Sequence, residues 1–423
     1  MKVLILGGGG REDALAWKIS KSELLSELYC APGNPGTARY ATNLPLDIKD
    51  FASIKESILT LGIEMVLPGP EEPLVKGLKD YLKSDSSLSN LLFIGPSAQG
   101  AMLEGSKYFA KLFMERHGIP TAKYRTFTSS QIDDAINFIE TLPTPIVLKA
   151  DGLAAGKGVI ISPSREEAIA SLKEMMGGIF GEAGKRVVIE EYLEGIELSY
   201  FILTDGKQYL TLPEAKDYKR RWEGERGANT GGMGALSPVP FANSLFKEKI
   251  EREVVIPTIE GLQKEGIDFK GFLFFGLINC QGNPFVIEYN VRLGDPEAEA
   301  ILPRIQSDLL SSLIDIGKGE LSPHKIESDP RFSLTVVTVS EGYPGEYQKG
   351  FPIALPKESG NATIFHSGTK EEREEIVTSG GRVLALNCLG NSIEECREEL
   401  YSVVSKVEYN GIGYRRDIGL DLL

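Results

Sequence analysis

Histidine is scarce in this chain: three residues, His117, His324 and His366, in 423. No two stand at a metal-ligand spacing, which argues against zinc hydrolysis and Ser-His catalysis. Cysteine is nearly as rare. Cys30, Cys280, Cys388 and Cys396 are scattered without a C-x-x-C pair. Neither a disulfide framework nor a cysteine-rich zinc site is expected, and a reducing cytoplasm suits the chain. No run of about 18 apolar residues exists, so no membrane span is expected. The apolar start, Met1-Lys-Val-Leu-Ile-Leu6, leads straight into glycines and reads as a first strand, not a signal peptide. Positive charge is in deficit, with 46 Lys and Arg against 60 Asp and Glu and a net charge of −14. That argues against a general nucleic-acid binder but leaves room for local basic pockets. What remains for chemistry is Lys, Arg, Asp, Glu and backbone amides. Such a set suits phosphoryl transfer, where positioning and electrostatics do most of the work.

What is present is alternation. Residues 1 to about 100 pass between short apolar strands and helical patterns, predicting a parallel α/β layer. Strands are expected near 2–6, 28–30, 64–67 and 91–95, and helices near 11–20, 51–61 and 74–83. Gly7-Gly8-Gly9-Gly10, Pro32-Gly-Asn-Pro-Gly36 and Pro68-Gly-Pro-Glu-Glu-Pro73 all fall at strand carboxyl ends, where such sheets bind ligands. From Glu104 the texture becomes mixed, and from about Arg331 a third texture begins, so three units are expected. The glycine run is not a dinucleotide fingerprint. Gly7-x-Gly9 is followed at the third position by Glu12, and no acid ends the second strand. A small phosphate at the following helix N-terminus fits better.

Four later segments carry the chemistry. Pro145-Ile-Val-Leu-Lys149 runs into Ala-Asp-Gly-Leu-Ala-Ala-Gly-Lys-Gly158, a strand ending in a cation and then a glycine-rich loop. Gly152 and Gly156 enclose three residues instead of four and a strand follows, so this is not a P-loop, yet Lys149 and Lys157 favour phosphate contact. The strand from Arg186 ends in Glu190-Glu-Tyr-Leu193 with Glu197 beyond, an edge suited to adenine and ribose, although surface acids are the commoner reading. Asp217-Tyr-Lys-Arg-Arg221 before Gly227-Ala-Asn-Thr-Gly-Gly-Met-Gly234 suits a mobile, anion-contacting lid or, equally, a surface loop. In Phe285-Val-Ile-Glu-Tyr-Asn-Val-Arg292, strict alternation predicts one common face for Val286, Glu288, Asn290 and Arg292. Glu288 and Asn290 are oxygen donors for a hard cation, and the Arg292 fork suits a carboxylate or phosphate. An isolated E-x-N-x-R is more often an exposed polar face. The neighbouring motifs tilt the balance.

In order along the whole chain, these segments resemble the phosphoribosylamine–glycine ligase family of the ATP-grasp superfamily. The residues that carry the resemblance are the glycine run with Arg11-Glu-Asp-Ala-Leu-Ala-Trp17, Gly69-Pro-Glu-Glu-Pro-Leu-Val-Lys-Gly77 and Glu104-Gly-Ser-Lys107, then the Lys149 loop, Asn229-Thr-Gly-Gly-Met-Gly-Ala235, Asn290-Val-Arg-Leu-Gly-Asp-Pro-Glu297 and Gly381-Arg-Val-Leu384. The resemblance implies a multidomain α/β and α+β fold. It would comprise an N-terminal parallel α/β (pre-ATP-grasp) domain over 1–103, an ATP-grasp central domain over 104–325 with a mobile small lobe at about 122–192, and a mixed α/β C-terminal domain over 326–423. It also implies ATP with Mg²⁺ or Mn²⁺, and ligation of glycine to 5-phosphoribosylamine through glycyl phosphate in purine biosynthesis. Monomer and homodimer both remain open.

Carried over by position, Lys107, Lys149 and the loop with Gly152, Leu153, Gly156 and Gly158 would hold the ATP phosphates, Glu190, Tyr192 and Leu193 the adenine, and Glu197 the ribose. Glu288 and Asn290 would bind the metal. Arg292 with Gly294, Asp295, Pro296 and Glu297 would orient glycine or the acyl phosphate, Asn229 and Thr230 would bind substrate, and Asp217 and Lys219 would close over the centre. Gly10, Arg11, Glu12, Asn34 and Glu71 would hold phosphoribosylamine, with Arg382 at its phosphate. Three positions depart from the family pattern: Asp13 and Tyr218 stand where it usually has His, and Ala228 where it usually has Pro. Neither Asp13 nor Tyr218 is expected to be an essential acid or base. The competing expectations are an ATP-grasp carboxylase acting on an aminoimidazole ribonucleotide, a silent nucleotide-binding protein, and a Rossmann oxidoreductase, the last disfavoured by Glu12.

Overall fold

The computed structural model describes residues 1–153, 158–322 and 325–423. Its first sheet is parallel, ordered Thr42–Asn43, Glu27–Pro32, Lys2–Gly7, Met65–Pro68, Leu92–Phe93. Lys2–Gly7 lies at the point where strand order reverses, with Glu27–Pro32 on one side and Met65–Pro68 on the other. Its carboxyl end therefore opens into the crevice where α/β sheets bind ligands, and helix Gly10–Ile19 starts there. Phe51–Leu61 forms the helix its pattern predicts, capped by Asp50 on Ser53 N and closed by Gly62 in the left-handed region. The single helix expected near 74–83 is instead two, Glu71–Val75 and Leu78–Lys83, because Gly77 at φ 80° turns the chain between them. The break places Glu71 in a first helical turn at the crevice.

Two sheets build the centre. A small antiparallel sheet, ordered Tyr124–Thr128, Arg186–Glu191, Ile146–Ala150, Val159–Ser162, is backed by helices Ile132–Thr141 and Arg165–Glu174 around a separate core. A larger sheet runs Tyr209–Thr211, Ile196–Thr204, Phe269–Cys280, Asn283–Asn290. The last two strands are the expected hairpin, with one irregularity. Leu277 pairs with Val286 and Gly276 with Glu288, so Ile287 is an extra residue. The bulge corrects the strict alternation. Val286 and Tyr289 both enter the core while Glu288 and Asn290 line the cavity.

The remaining sheet runs Lys216–Asp217, Gly234–Ser237, Phe332–Val339, Arg382–Gly390, Thr363–His366. Two strands from the middle of the chain are thus hydrogen-bonded into a sheet completed by its end. Residues 217–234, expected to form a mobile lid or a surface loop, include a hairpin of Arg220–Trp222 with Arg226–Asn229. Its arginines do not form an anion-facing cluster. Arg221 donates to Tyr343 O and Arg220 to Gly227 O.

Candidate active site

A cavity of about 410 Å³ opens where the three larger sheets and the small lobe meet. Lys149, at the end of its small-lobe strand, pairs with Glu190 Oε2 at 3.0 Å and donates to the Ile287 carbonyl at 3.1 Å. The bulge is what presents that carbonyl. Lys111 stands 3.2 Å from Glu190 Oε1 and donates to Thr121 Oγ1 at 2.7 Å. Burial lowers its ammonium to about 8 despite the Glu190 charge. Lys107 reaches Gly152 O at 3.2 Å, and burial holds it below its usual range. Three lysines therefore converge in one cavity. Of the loop residues, Gly152, Leu153 and Gly158 line the cavity; Gly156 and Lys157 lie outside the described residues.

Opposite them is an acidic wall. Burial alone would raise Glu288, yet Lys219, Lys107 and Lys149 outweigh it and keep the carboxylate ionised below its ordinary range. Asp217 is lifted to about 7 by burial, against the pull of Lys219 and helped by Glu297, Glu197 and Glu288. Lys219 donates to Glu197 Oε2 at 3.0 Å and stands 3.7 Å from Asp217. Those acids overcome its burial and hold it charged. Asn290 is buried with its amide nitrogen unpartnered. One carboxylate and one amide beside it are the two-oxygen protein share that a hard divalent cation takes when phosphates and water complete its shell. Among the described residues no cluster of three His, Cys, Asp or Glu is placed to hold a metal. An ion here would therefore depend on phosphate oxygens.

Arg292 sits between two helices. Its Nη2 donates to Glu104 Oε1 at 2.7 Å, its Nη1 to Leu293 O at 3.3 Å, and its Nε lies 3.5 Å from Glu71 without a hydrogen bond. Glu104 also accepts from Val291 N at 2.8 Å. Burial raises Glu104 to about 7, with Arg292 opposing. In the N-terminal corner Arg11 donates to Glu12 at 2.7 Å and to Leu293 O at 3.1 Å. Arg382 bridges Gly231 O at 2.6 Å, Asp295 O at 2.7 Å and Asp295 Oδ1 at 3.0 Å. Gly231 leaves room for this approach, since a Cβ there would meet Arg382 Cζ at 3.0 Å, and Gly232, at φ 119°, lets the loop close on the next turn, where a Cβ would meet Pro296 Cδ at 2.3 Å.

Arg11, Glu71, Thr230, Gly294, Asp295, Glu297 and Arg382 line the same cavity as the lysines and Glu288. Gly10, Glu12, Asn34, Asn229 and Pro296 stand behind its lining. Asn34 is occupied by the backbone: its amide donates to Gly8 O and His366 O, and its oxygen accepts from Gly36 N and Thr37 N. Tyr192 and Leu193 follow the Glu190 strand outside the cavity lining, Tyr192 exposed, and Glu197 touches the site through Lys219. Glu104, Lys111 and Glu299 escaped sequence reasoning because each looks like an ordinary helix residue. For Glu104 the Glu-Gly-Ser-Lys motif was a signal.

Comparison with known proteins follows the same chain order. Residues 1–104 match the phosphoribosylglycinamide synthetase N domain, 105–298 its ATP-grasp (A) domain and 333–421 its C domain. A phosphoribosylamine–glycine ligase of Rhizobium meliloti is 45% identical over 420 residues, 99% of this chain and 98% of that protein. The chain belongs to the phosphoribosylamine–glycine ligase family. The Escherichia coli K12 ligase of that name is 42% identical over 426 residues. The crystal structure of the Thermotoga maritima phosphoribosylamine–glycine ligase superposes with a TM-score of 0.85 at 37% identity, covering 99% of this chain and all (100%) of that one. The biotin carboxylase domain of a Hydrogenobacter thermophilus 2-oxoglutarate carboxylase, at 18% identity and TM-score 0.73, shares the fold. The expected multidomain architecture with an ATP-grasp centre holds, and an oxidoreductase reading falls away.

Proposed function

We propose that this chain uses ATP to join glycine to 5-phosphoribosylamine, giving glycinamide ribonucleotide, ADP and phosphate, a step of de novo purine biosynthesis. The observation that carries the reading is the meeting, in one cavity of a ligase-family chain, of a lysine cluster, the Glu288–Asn290 pair and Arg292. A glycine carboxylate oxygen attacks the γ-phosphorus of ATP, the bond to the β-phosphate oxygen breaks, and glycyl phosphate and ADP form. The amine nitrogen then attacks the acyl carbon, the bond to the phosphate oxygen breaks, and the nitrogen loses a proton. No side-chain nucleophile is needed. Charge neutralisation and alignment carry the rate.

In this reading Lys107 and Lys149 neutralise the phosphates under the 151–158 loop, and the strand end at Glu190 to Leu193 faces the adenine. Glu288 and Asn290 would hold Mg²⁺ or Mn²⁺, which would supply screening of the phosphate charge. Arg292, with the turn at Gly294 to Glu297, holds the glycine carboxylate. Asp217, kept near 7 by burial and steadied by Lys219, accepts the proton released by the amine. Arg11, Glu71 and Arg382 take the ribosyl phosphate side. Four free cysteines, with no helix among the described residues long and apolar enough to cross a membrane, suit work in the cytoplasm.

The test is ADP release by purified protein with ATP, Mg²⁺, glycine and freshly made phosphoribosylamine. Release that requires both glycine and the amine supports the reading. No ADP above the control lacking glycine rejects it, and dependence on bicarbonate with aminoimidazole ribonucleotide would point to a carboxylase instead.

A further inference from the structure

Glu299 is fully buried, and among the described residues it is the one acid with both carboxyl oxygens shielded and without a hydrogen-bond partner. It lies in the short helix Glu297–Ile301, packed against helix Gly10–Ile19 and strand Arg382–Gly390. Its Oε1 sits directly under Gly10, where an added Cβ would come within 2.2 Å of it. The charges facing it are Asp295 from its own turn, Arg382 from the C-terminal strand and Arg11 from the N-terminal helix. Both guanidiniums are already matched, Arg11 by Glu12 at 2.7 Å and Arg382 by Asp295 at 3.0 Å. A third buried negative charge would have no cation left. Isolation of this kind favours the protonated form, and burial, reinforced by Asp295, holds the Glu299 carboxyl well above the ordinary range.

We propose that Glu299 is a positioning residue for the phosphate of the ribosyl substrate: as an uncharged acid behind Gly10 it packs the floor of that corner and leaves to the incoming phosphate the Nη2 donors of Arg11 and Arg382, which their present partners do not use. This rests on the ligase reading above, which puts phosphoribosylamine in that corner. Ionised, Glu299 would set a negative charge behind the two arginines and compete with the phosphate for them. Binding of the phosphate is therefore coupled to keeping, or taking up, one proton at this side chain.

The experiment uses ribose 5-phosphate, a stable probe, with full-length wild-type protein and the Glu299→Gln variant, titrated calorimetrically between roughly pH 7 and pH 9.5. Glutamine keeps the shape and cannot ionise. Across that range the wild type should lose roughly tenfold more affinity than the variant. At the alkaline end, where the probe itself does not titrate, the wild type should take a proton from the buffer on binding and the variant should not. Parallel loss of affinity in the two proteins overturns the proposal, as does failure of the wild type to bind the probe. Should Glu299→Gln fail to fold, proton uptake by the wild type in two buffers of different ionisation enthalpy decides alone, and none overturns the role. Glycine-dependent ADP release in the same preparation separates the two claims. Turnover without the pH difference sinks Glu299 only, while absent turnover sinks the ligase reading.

Discussion

Lys149 and Ile287 are joined across the lobe boundary: the ammonium of the small-lobe strand donates to the carbonyl that the bulge leaves unpaired, at 3.1 Å. With Glu190 at 3.0 Å, this holds the cation from two sides. Lys149→Met keeps the stem and removes the charge. Its kcat/KM for ATP should fall on the order of 10–100-fold, the scale of a charge-assisted hydrogen bond. Initial rates at varied ATP check this, and an unaltered ATP dependence would remove Lys149 from the phosphate site.

Arg292 is held by Glu104 at 2.7 Å, with its Nε still unpartnered. Arg292→Lys should cut kcat/KM for glycine on the order of 10–100-fold, because a planar fork is replaced by a point charge. The KM for ATP should move far less. Equal effects on both substrates would contradict a glycine-specific role.

Glu288 remains ionised between three lysines, which suits a ligand for a divalent ion. Glu288→Gln should shift the Mg²⁺ requirement for turnover to higher concentration, about tenfold or more. Titrating Mg²⁺ at fixed ATP gives the answer. Full activity at limiting Mg²⁺ refutes ligation by this side chain.

Asp13 binds Arg39 at 2.9 Å and the His366 amide at 2.7 Å. Burial nevertheless outweighs both and raises its carboxyl from 3.8 to about 6. Because the folded chain holds this proton more tightly than the unfolded chain, the stability it contributes is present below about pH 4 and is lost as pH rises to about 6. Asp13→Asn should flatten that part of the stability curve without abolishing turnover at neutral pH. Denaturant melts at several pH values measure the first effect, and glycine-dependent ADP release the second.

Tyr218 donates to Asp421 at 2.7 Å and accepts from Gly419 N at 3.1 Å, so it ties the segment after strand Lys216–Asp217 to residues 419–421. Tyr218→Phe should cost ~1–2 kcal/mol of stability and leave catalysis in place. Loss of turnover in a folded variant would make the hydroxyl part of the chemistry.

The parallel layer was readable because each strand ends in a glycine or proline turn and each helix carries a pattern. Phe51–Leu61 even has its Asp50 and Gly62 caps in the sequence. Three features were not readable. The bulge at Ile287 breaks alternation through a pairing register, which one strand alone cannot reveal. The consumption of Asn34 by four backbone groups depends on Gly8 and His366, far away in sequence. The burial of Glu299 beneath Gly10 arises from packing two distant helices, and nothing local distinguishes it from a solvent-facing glutamate. Motifs located the cavity, while the network that orients its groups came from tertiary contacts.

Strand Phe332–Val339 borrows Gly234–Ser237 as its neighbour, and Lys216–Asp217 hangs on the outer edge. Asp217 and Lys219 are thereby moored to a sheet that the last part of the chain completes. A polypeptide stopped near residue 325 would have to expose an unsatisfied edge at Gly234–Ser237 and would carry Asp217 and Lys219 on unsupported backbone. Cutting the gene there would yield two fragments that regain the centre only by strand exchange, so restored ADP release on mixing them would report sheet reassembly rather than docking of finished domains.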